Sequence, residues 1–216
     1  KYPLEILKYI FKKTGLFTST IAEAGAFIKT HEDLEAPNIQ YHYAPAMIVD
    51  HGRTAVWGTG MSCHSCLLRP KSRGEVTLES SDPFADPLID PKFLSHPDDV
   101  KDMVDGYKIM MHVLNQEPFS KYIQEHTHRP VDINNDADIE QAIREEADTV
   151  YHPVGTCKMG SDEMSVVDDR LKVHNMNKLR IVDASIMPTL VGGNTNAPTI
   201  MIGEKASDMI IEDWNL

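Results

Sequence analysis

Residues 98–116 read DDVKDMVDGYKIMMHVLNQ. Val100, Met103, Val104, Tyr107, Met111 and Leu114 recur at steps of three and four, the stripe of a helix with one apolar face. Ser95, just upstream, suits a helix cap. A shorter segment, 138–150, repeats the pattern with Ile139, Ala142, Ile143, Ala147 and Val150, and Asn135 or Asp136 suits its cap. A third helix is expected over Tyr2–Lys13, ended by Gly15. The Met and apolar stripes of these helices are read as core packing.

Between the first helix and residue 98 the pattern changes period. Residues 38–49, NIQYHYAPAMIV, alternate and then run apolar, which reads as a strand interrupted by Pro45. Cys66-Leu67-Leu68, a turn at Ser72-Arg73-Gly74, and Glu75 to Glu79 read as an antiparallel pair. Four prolines between Ser81 and Pro97 predict an irregular surface loop there. Strands followed by helices make the fold class α+β: a mostly antiparallel sheet from about residues 20–80, with helices on one face.

Beyond Val150, Gly, Pro, Asn and Thr become frequent. Lys178–Asp183 reads as a short strand. The loop Gly192-Gly193-Asn194-Thr195-Asn196-Ala197-Pro198 leads into a helix over 199–213, with Asn196, or else Asn194 or Thr195, as its cap and Pro198 in its first turn. First-turn amides lack partners and attract anions or polar rings, so this loop is a candidate ligand contact. His152, before a rigid Pro153, is a candidate base near neutral pH.

Of 216 residues, 21 are Lys or Arg and 33 are Asp or Glu, a net charge of −12. That balance argues against nucleic acid as a partner. No apolar run is long enough to span a membrane. Cys63 and Cys66 stand two residues apart, but structural zinc wants four ligands and only Cys157 remains, so they read as buried thiols and no metal site is expected. An acidic, span-free chain with few cysteines is read as cytoplasmic, with membrane association of a longer parent left open. Gly-x-Gly-x-x-Gly, Gly-Lys-Thr and Gly-x-Ser-x-Gly motifs are missing from the sequence.

Four segments carry a family resemblance: Tyr151–Gly160, Val182–Pro188, Gly193–Thr199 and Met201–Lys205. Their order and spacing resemble the C-terminal signature of the glucose–methanol–choline oxidoreductases, FAD-dependent enzymes that oxidise alcohols. Glu23–Phe27, Pro37–His42 and Pro70–Gly74 resemble the choline-dehydrogenase-like branch, so the likeness covers nearly the whole chain. It implies His152 as the catalytic histidine and Asn196 as the second active-site residue. It implies flavin contacts from Asp183, Ala184, Asn194, Thr195, Ala197 and Pro198, and a substrate-side carboxylate at Glu23.

The same resemblance implies a division into a substrate-binding part, 1–150, and a part, 151–216, whose strand and helix complete an FAD-binding domain. The dinucleotide-binding half would lie upstream, so the piece is expected to be inactive and not to retain FAD by itself. Its partners would be a small-molecule alcohol, an electron acceptor that these residues do not identify, and a second copy through the surface left by the other half. A stand-alone binding or interaction domain that keeps the motifs without the chemistry is the alternative.

Overall fold

The computed structural model describes residues 2–54, 56, 58, 60–125 and 131–215. The elements run α1 (Tyr2–Lys12), β1 (Ala24–Ile28), β2 (Ile39–Ala44), β3 (Ser62–Leu67), β4 (Glu75–Thr77), β5 (Leu88–Asp90), α2 (Pro97–Leu114), α3 (Glu117–Ser120), α4 (Asp136–Glu146) and α5 (Asn196–Trp214), with short 3₁₀ turns between some of them. The class is α+β, as expected.

The chain forms two compact units, each built from separated stretches: 1–66 with 106–124, and 67–105 with 125–216. The expected division at residue 150 was a single cut.

In the first unit β1, β2 and β3 form one sheet with β2 in the middle. β1 and β2 are antiparallel, from Ala24 opposite Tyr43 to Ile28 opposite Ile39. Ile39 and Tyr41 share a face of β2 and are fully buried. The Tyr41 hydroxyl donates to the Gly106 carbonyl oxygen at 2.6 Å, satisfying a buried polar atom. A Cβ on Gly106 would stand 3.0 Å from Ile39 Cγ1, so only a bare helix backbone lets the strand come this close. Burial pushes the Tyr41 hydroxyl well above its ordinary range. It pushes the neighbouring Tyr43 up to about 12, with Cys63 adding to the shift. The Cys63 thiol itself is pushed up to about 11 by burial. Cys63 and Cys66 lie on β3, half-buried and not fully buried as expected, and among the described residues neither they nor Cys157 form a disulfide.

In the second unit α4 buries Ile139, Ala142 and Ile143, and the Asn135 side chain caps it by accepting from the Ala137 amide at 3.1 Å. Val100 and Val104 of α2 line a cavity with Asp136 and Glu140 of α4. Buried Asp99, in the first turn of α2, accepts from the Lys71 and Ser72 amides, each at 2.8 Å, and from the Ser72 hydroxyl. A second core gathers Val167, Leu171, Ile186, Met187, Ile202 and Ala206.

Four local expectations need correction. β4 pairs with β5, antiparallel from Glu75 opposite Asp90 to Thr77 opposite Leu88, and not with residues 66–68. The prolines around 88–90 leave three residues free to pair, enough for a short ladder. Residues 178–183 form no strand: Arg180 makes one isolated bridge, to Lys172. α4 stops at Glu146 because Ala147 turns extended, which leaves Val150 exposed. α1 ends where Lys13, not Gly15, takes the first positive φ, and its amide still bonds the Tyr9 carbonyl.

Candidate active site

The site sits in the second unit, on two loops that the Val167–Ala206 core holds in place. The first runs from His152 to Met159. Val154 packs on the core. The Cys157 amide bonds the Ser185 carbonyl at 3.0 Å, and the Met159 amide bonds the Ile186 carbonyl at 2.8 Å. Tyr151, immediately before His152, has φ +63, an uncommon conformation for a bulky residue. Together with Pro153 it leaves the backbone at His152 little freedom.

The second loop is Gly192–Thr195, entering α5. Gly192 has φ +75, and a Cβ there would meet the Arg69 guanidinium at 2.7 Å. The positive φ favours glycine, whereas the Arg69 guanidinium is the end of a flexible side chain that can move aside. Arg69 itself lines a cavity of about 270 Å³ with Lys71, Arg73 and Thr189.

His152 is half-buried and is held at both ring nitrogens. Nδ1 lies 2.8 Å from Thr195 Oγ1, and Nε2 lies 3.0 Å from Asn194 Nδ2. With the Asn194 amide nitrogen facing Nε2, that nitrogen can only accept. In the tautomer that fits this contact the ring proton is on Nδ1 and Thr195 Oγ1 accepts it.

Thr195 is buried and stands at the cap position of α5, yet its side chain makes no capping bond. Its backbone is helical, φ −87 and ψ −6, whereas a capping side chain usually springs from extended backbone. The hydroxyl therefore points elsewhere, and His152 receives it. The Thr195 carbonyl accepts from the Thr199 amide at 3.0 Å and the Thr199 hydroxyl at 2.7 Å.

The remaining sequence-derived candidates fall as follows. Asn196 is the first residue of α5, not its cap; it is exposed, and among the described residues no hydrogen bond joins it to His152. Ala197 and Pro198 complete that first turn. Asp183 is exposed and caps a 3₁₀ turn over Ala184–Ile186, accepting from the Ser185 amide at 2.7 Å. Glu23 is exposed just before β1, in the first unit. Thus His152, Asn194 and Thr195 come together. The part of Asn194 against the ring was not foreseen; the signal available was its place two residues after the left-handed Gly192. Among the described residues no group of three His, Cys, Asp or Glu side chains is arranged to hold a metal ion.

The α5 start has the chemistry to meet a flavin ring. Thr195 leaves the Asn196 and Ala197 amides uncapped, and Ala197 presents only a methyl group. A side chain at Gly193 would meet open space. The cradle for a pyrophosphate is a different matter, because the sequence lacks a Gly-x-Gly-x-x-Gly turn.

An α+β domain with a half-buried histidine and a carboxamide at a helix start is suited to proton transfer at a polar oxygen. Residues 70–203 match the family model described as GMC oxidoreductase, and the chain belongs to that family. It is 46% identical over 206 residues to an alcohol dehydrogenase [acceptor] of Pseudomonas putida, covering 95% of this chain and 37% of the relative. It is 43% identical over 203 residues to an oxygen-dependent choline dehydrogenase of Cronobacter sakazakii, covering 94% and 36%. The chain thus spans less than two-fifths of the length of the curated relatives it matches. Among solved structures, Aspergillus oryzae formate oxidase, a protein studied for modification of its FAD, shares the fold with a TM-score of 0.86 at 24% identity, over 98% of this chain and 42% of that one.

Proposed function

We propose that this chain supplies the proton-transferring side of an FAD-dependent enzyme that oxidises an alcohol to an aldehyde. The observation that carries the reading is the pair of contacts on His152, which hold Nδ1 against Thr195 Oγ1 and set the Nε2 lone pair against an exchangeable amide donor. An alcohol oxygen that displaces the Asn194 contact would give its proton to Nε2 and keep the bonding electron pair. The Asn194 N–H would then donate to that oxygen as negative charge builds on it. FAD, when bound, supplies the acceptor for the hydride that leaves the alcohol carbon. The α5 first turn, with Asn196, Ala197 and Pro198, and the Asp183–Ala184 turn are the residues we assign to holding its ring. The relatives named for alcohol and choline support an alcohol substrate, and Glu23 remains the proposed substrate-side carboxylate.

On this reading Asn194 takes the part that the resemblance gave to Asn196. FAD retention by this chain alone is not part of the proposal, since the pyrophosphate cradle is not among its residues. Exposed Ile200 and Met201 on α5 support cover by a further protein surface, from the rest of a longer chain or from a second copy. A cytoplasmic location belongs to the same reading.

The test is stopped-flow flavin reduction in the longer, FAD-bearing protein. His152→Ala should lower the rate by about 10²–10⁴-fold. A near-unchanged rate removes His152 from the chemistry. Asn194→Ala should slow reduction more than Asn196→Ala does; the opposite order returns the role to Asn196.

A further inference from the structure

Three observations converge on one hydroxyl. Thr195 is buried in a position where threonine ordinarily caps a helix, and it does not cap. Its Oγ1 lies 2.8 Å from Nδ1 of His152, the ring nitrogen on the side away from Asn194. Its backbone is clamped from within α5, because the Thr199 amide and hydroxyl both bond the Thr195 carbonyl. A β-branched side chain with restricted χ1 on a clamped backbone offers an acceptor in a narrow range of positions.

We propose that Thr195 is a positioning residue that locks His152 in the Nδ1–H tautomer, so that the Nε2 lone pair always faces Asn194 and the reacting oxygen. This deepens the function proposed above and rests on it for its catalytic meaning. Imidazole in water carries its single proton on either nitrogen, and a ring with the proton on Nε2 presents a donor where a base is needed. A hydrogen bond from Nδ1–H to a fixed oxygen biases the equilibrium toward the competent form. It also holds the ring plane while Nε2 gains a proton and steadies the imidazolium that results, as orienting groups do for histidine bases generally. The proton balance is simple. The substrate O–H bond breaks, an Nε2–H bond forms, the electron pair stays on oxygen, and the Nδ1 proton remains shared with Thr195 throughout.

Asn194 and Thr195 are consecutive, so one loop sets both sides of the ring. Asn194 is exposed at the site mouth, while Thr195 is buried behind it. A ligand can displace the first contact without disturbing the second. The loop therefore offers one exchangeable and one permanent partner to the same imidazole.

The experiment uses ¹⁵N-histidine-labelled chain, with no flavin, and long-range ¹H–¹⁵N correlation of the His152 ring at a pH where it is neutral. The wild-type ring should carry its proton on Nδ1. Thr195→Val keeps the shape and removes the acceptor, and should shift a large part of the population to Nε2–H. Thr195→Ser keeps the oxygen and should restore Nδ1–H. Thr199→Val removes one clamp on the carbonyl and leaves the hydroxyl, and should leave the proton on Nδ1. Should the valine variant fail to fold by far-UV circular dichroism, Thr195→Ala is read in the same way.

A wild-type proton on Nε2, or a valine variant with an unchanged Nδ1–H population, overturns the proposal. In the longer FAD-bearing protein Thr195→Val should slow flavin reduction about tenfold or more, with Ser recovering most of it. The two ideas fail separately. A tautomer indifferent to Thr195 removes the lock and leaves His152 as base. A rate indifferent to His152→Ala removes the base, whatever the tautomer does.

Discussion

Residues 39–44 and residues 157–187 face the same demand, partners for backbone N–H and C=O groups, and answer it by different means. The first stretch is the middle strand of a sheet, its amides spent on two flanking strands and its apolar side chains sunk beside a glycine of α2. The second has isolated bridges, Met159 with Val167, Val167 with Val173, Lys172 with Arg180, and fills the gaps with aspartates. Asp162 takes the Met164 amide and the Ser165 hydroxyl, Asp168 takes the Arg170 and Lys172 amides, and Asp183 takes the Ser185 amide. Asp99 does the same for the loop at Lys71 and Ser72. A carboxylate has acceptor capacity for several N–H groups at once, so it can organise backbone that follows no regular path. The difference teaches that in this chain regular pairing builds the first unit, while side-chain anions shape the loops on which the candidate site stands.

Removing a buried apolar side chain should hurt the first kind of region most. Ile39→Ala should cost about 2–5 kcal/mol in urea unfolding of the first unit, since the side chain is fully buried and α2 is already close. A loss below about 1 kcal/mol would mean the strand is held mainly by its ladder.

The aspartate side of the contrast is sharpened by Asp99→Ala. Two amides and a hydroxyl lose their acceptor together, at a cost of about 1–3 kcal/mol. Hydrogen exchange at Lys71 and Ser72 should speed up while exchange across β1 and β2 stays as it was. Equal acceleration in both places would erase the distinction.

The smallest expected effect is an asymmetry with pH. The Asp213 carboxyl is held down at about 2 by hydrogen bonding from Lys172, against some opposing desolvation, with Arg180 and Arg170 adding to the pull. The Asp162 carboxyl is held at about 2 by Lys158, Ser165 and the Met164 amide. Groups lowered on folding stabilise above the ordinary carboxylate range, and that stability is lost as pH falls from about 4 toward 2. In the first unit the Cys63 thiol and the Tyr43 hydroxyl are raised, to about 11 and about 12. Their contribution is intact below their ordinary ranges and is lost as pH rises from about 9 toward 12. Residue-resolved NMR across both windows should show the second unit loosening first in acid and the first unit loosening first in base. The reverse order in either window breaks the comparison.

The same contrast explains what could be read from the sequence. α2, α4 and the body of α5 were legible because an apolar stripe at helical spacing has few other uses, and Asn135 stood where its side chain does cap. β2 was legible by alternation at Ile39, Tyr41 and Tyr43. The β4–β5 pair was not, because three residues between prolines carry no periodic signal. Lys178–Asp183 alternates like a strand, but the acceptors beside it are single carbonyls and carboxylates, not a neighbouring strand. At the candidate site, the motif spacing pointed to His152 and to the loop opposite it. Which of Asn194, Thr195 and Asn196 faces the ring depends on two dihedral choices, the positive φ of Gly192 and the helical backbone of Thr195, and three adjacent polar residues do not declare those choices by type.

The single-rung stitching between Met159 and Arg180 has a consequence for solubility. Val166, Val167, Val173, Ile181 and Val182 are the kind of residues that, lined up along a free sheet border, would recruit strands from other molecules. Here each rung is followed by a turn or a carboxylate-bound amide, so a visiting strand would find no row of open donors and acceptors longer than a residue or two. The valine-rich stretch is thereby kept from acting as a template for cross-β growth.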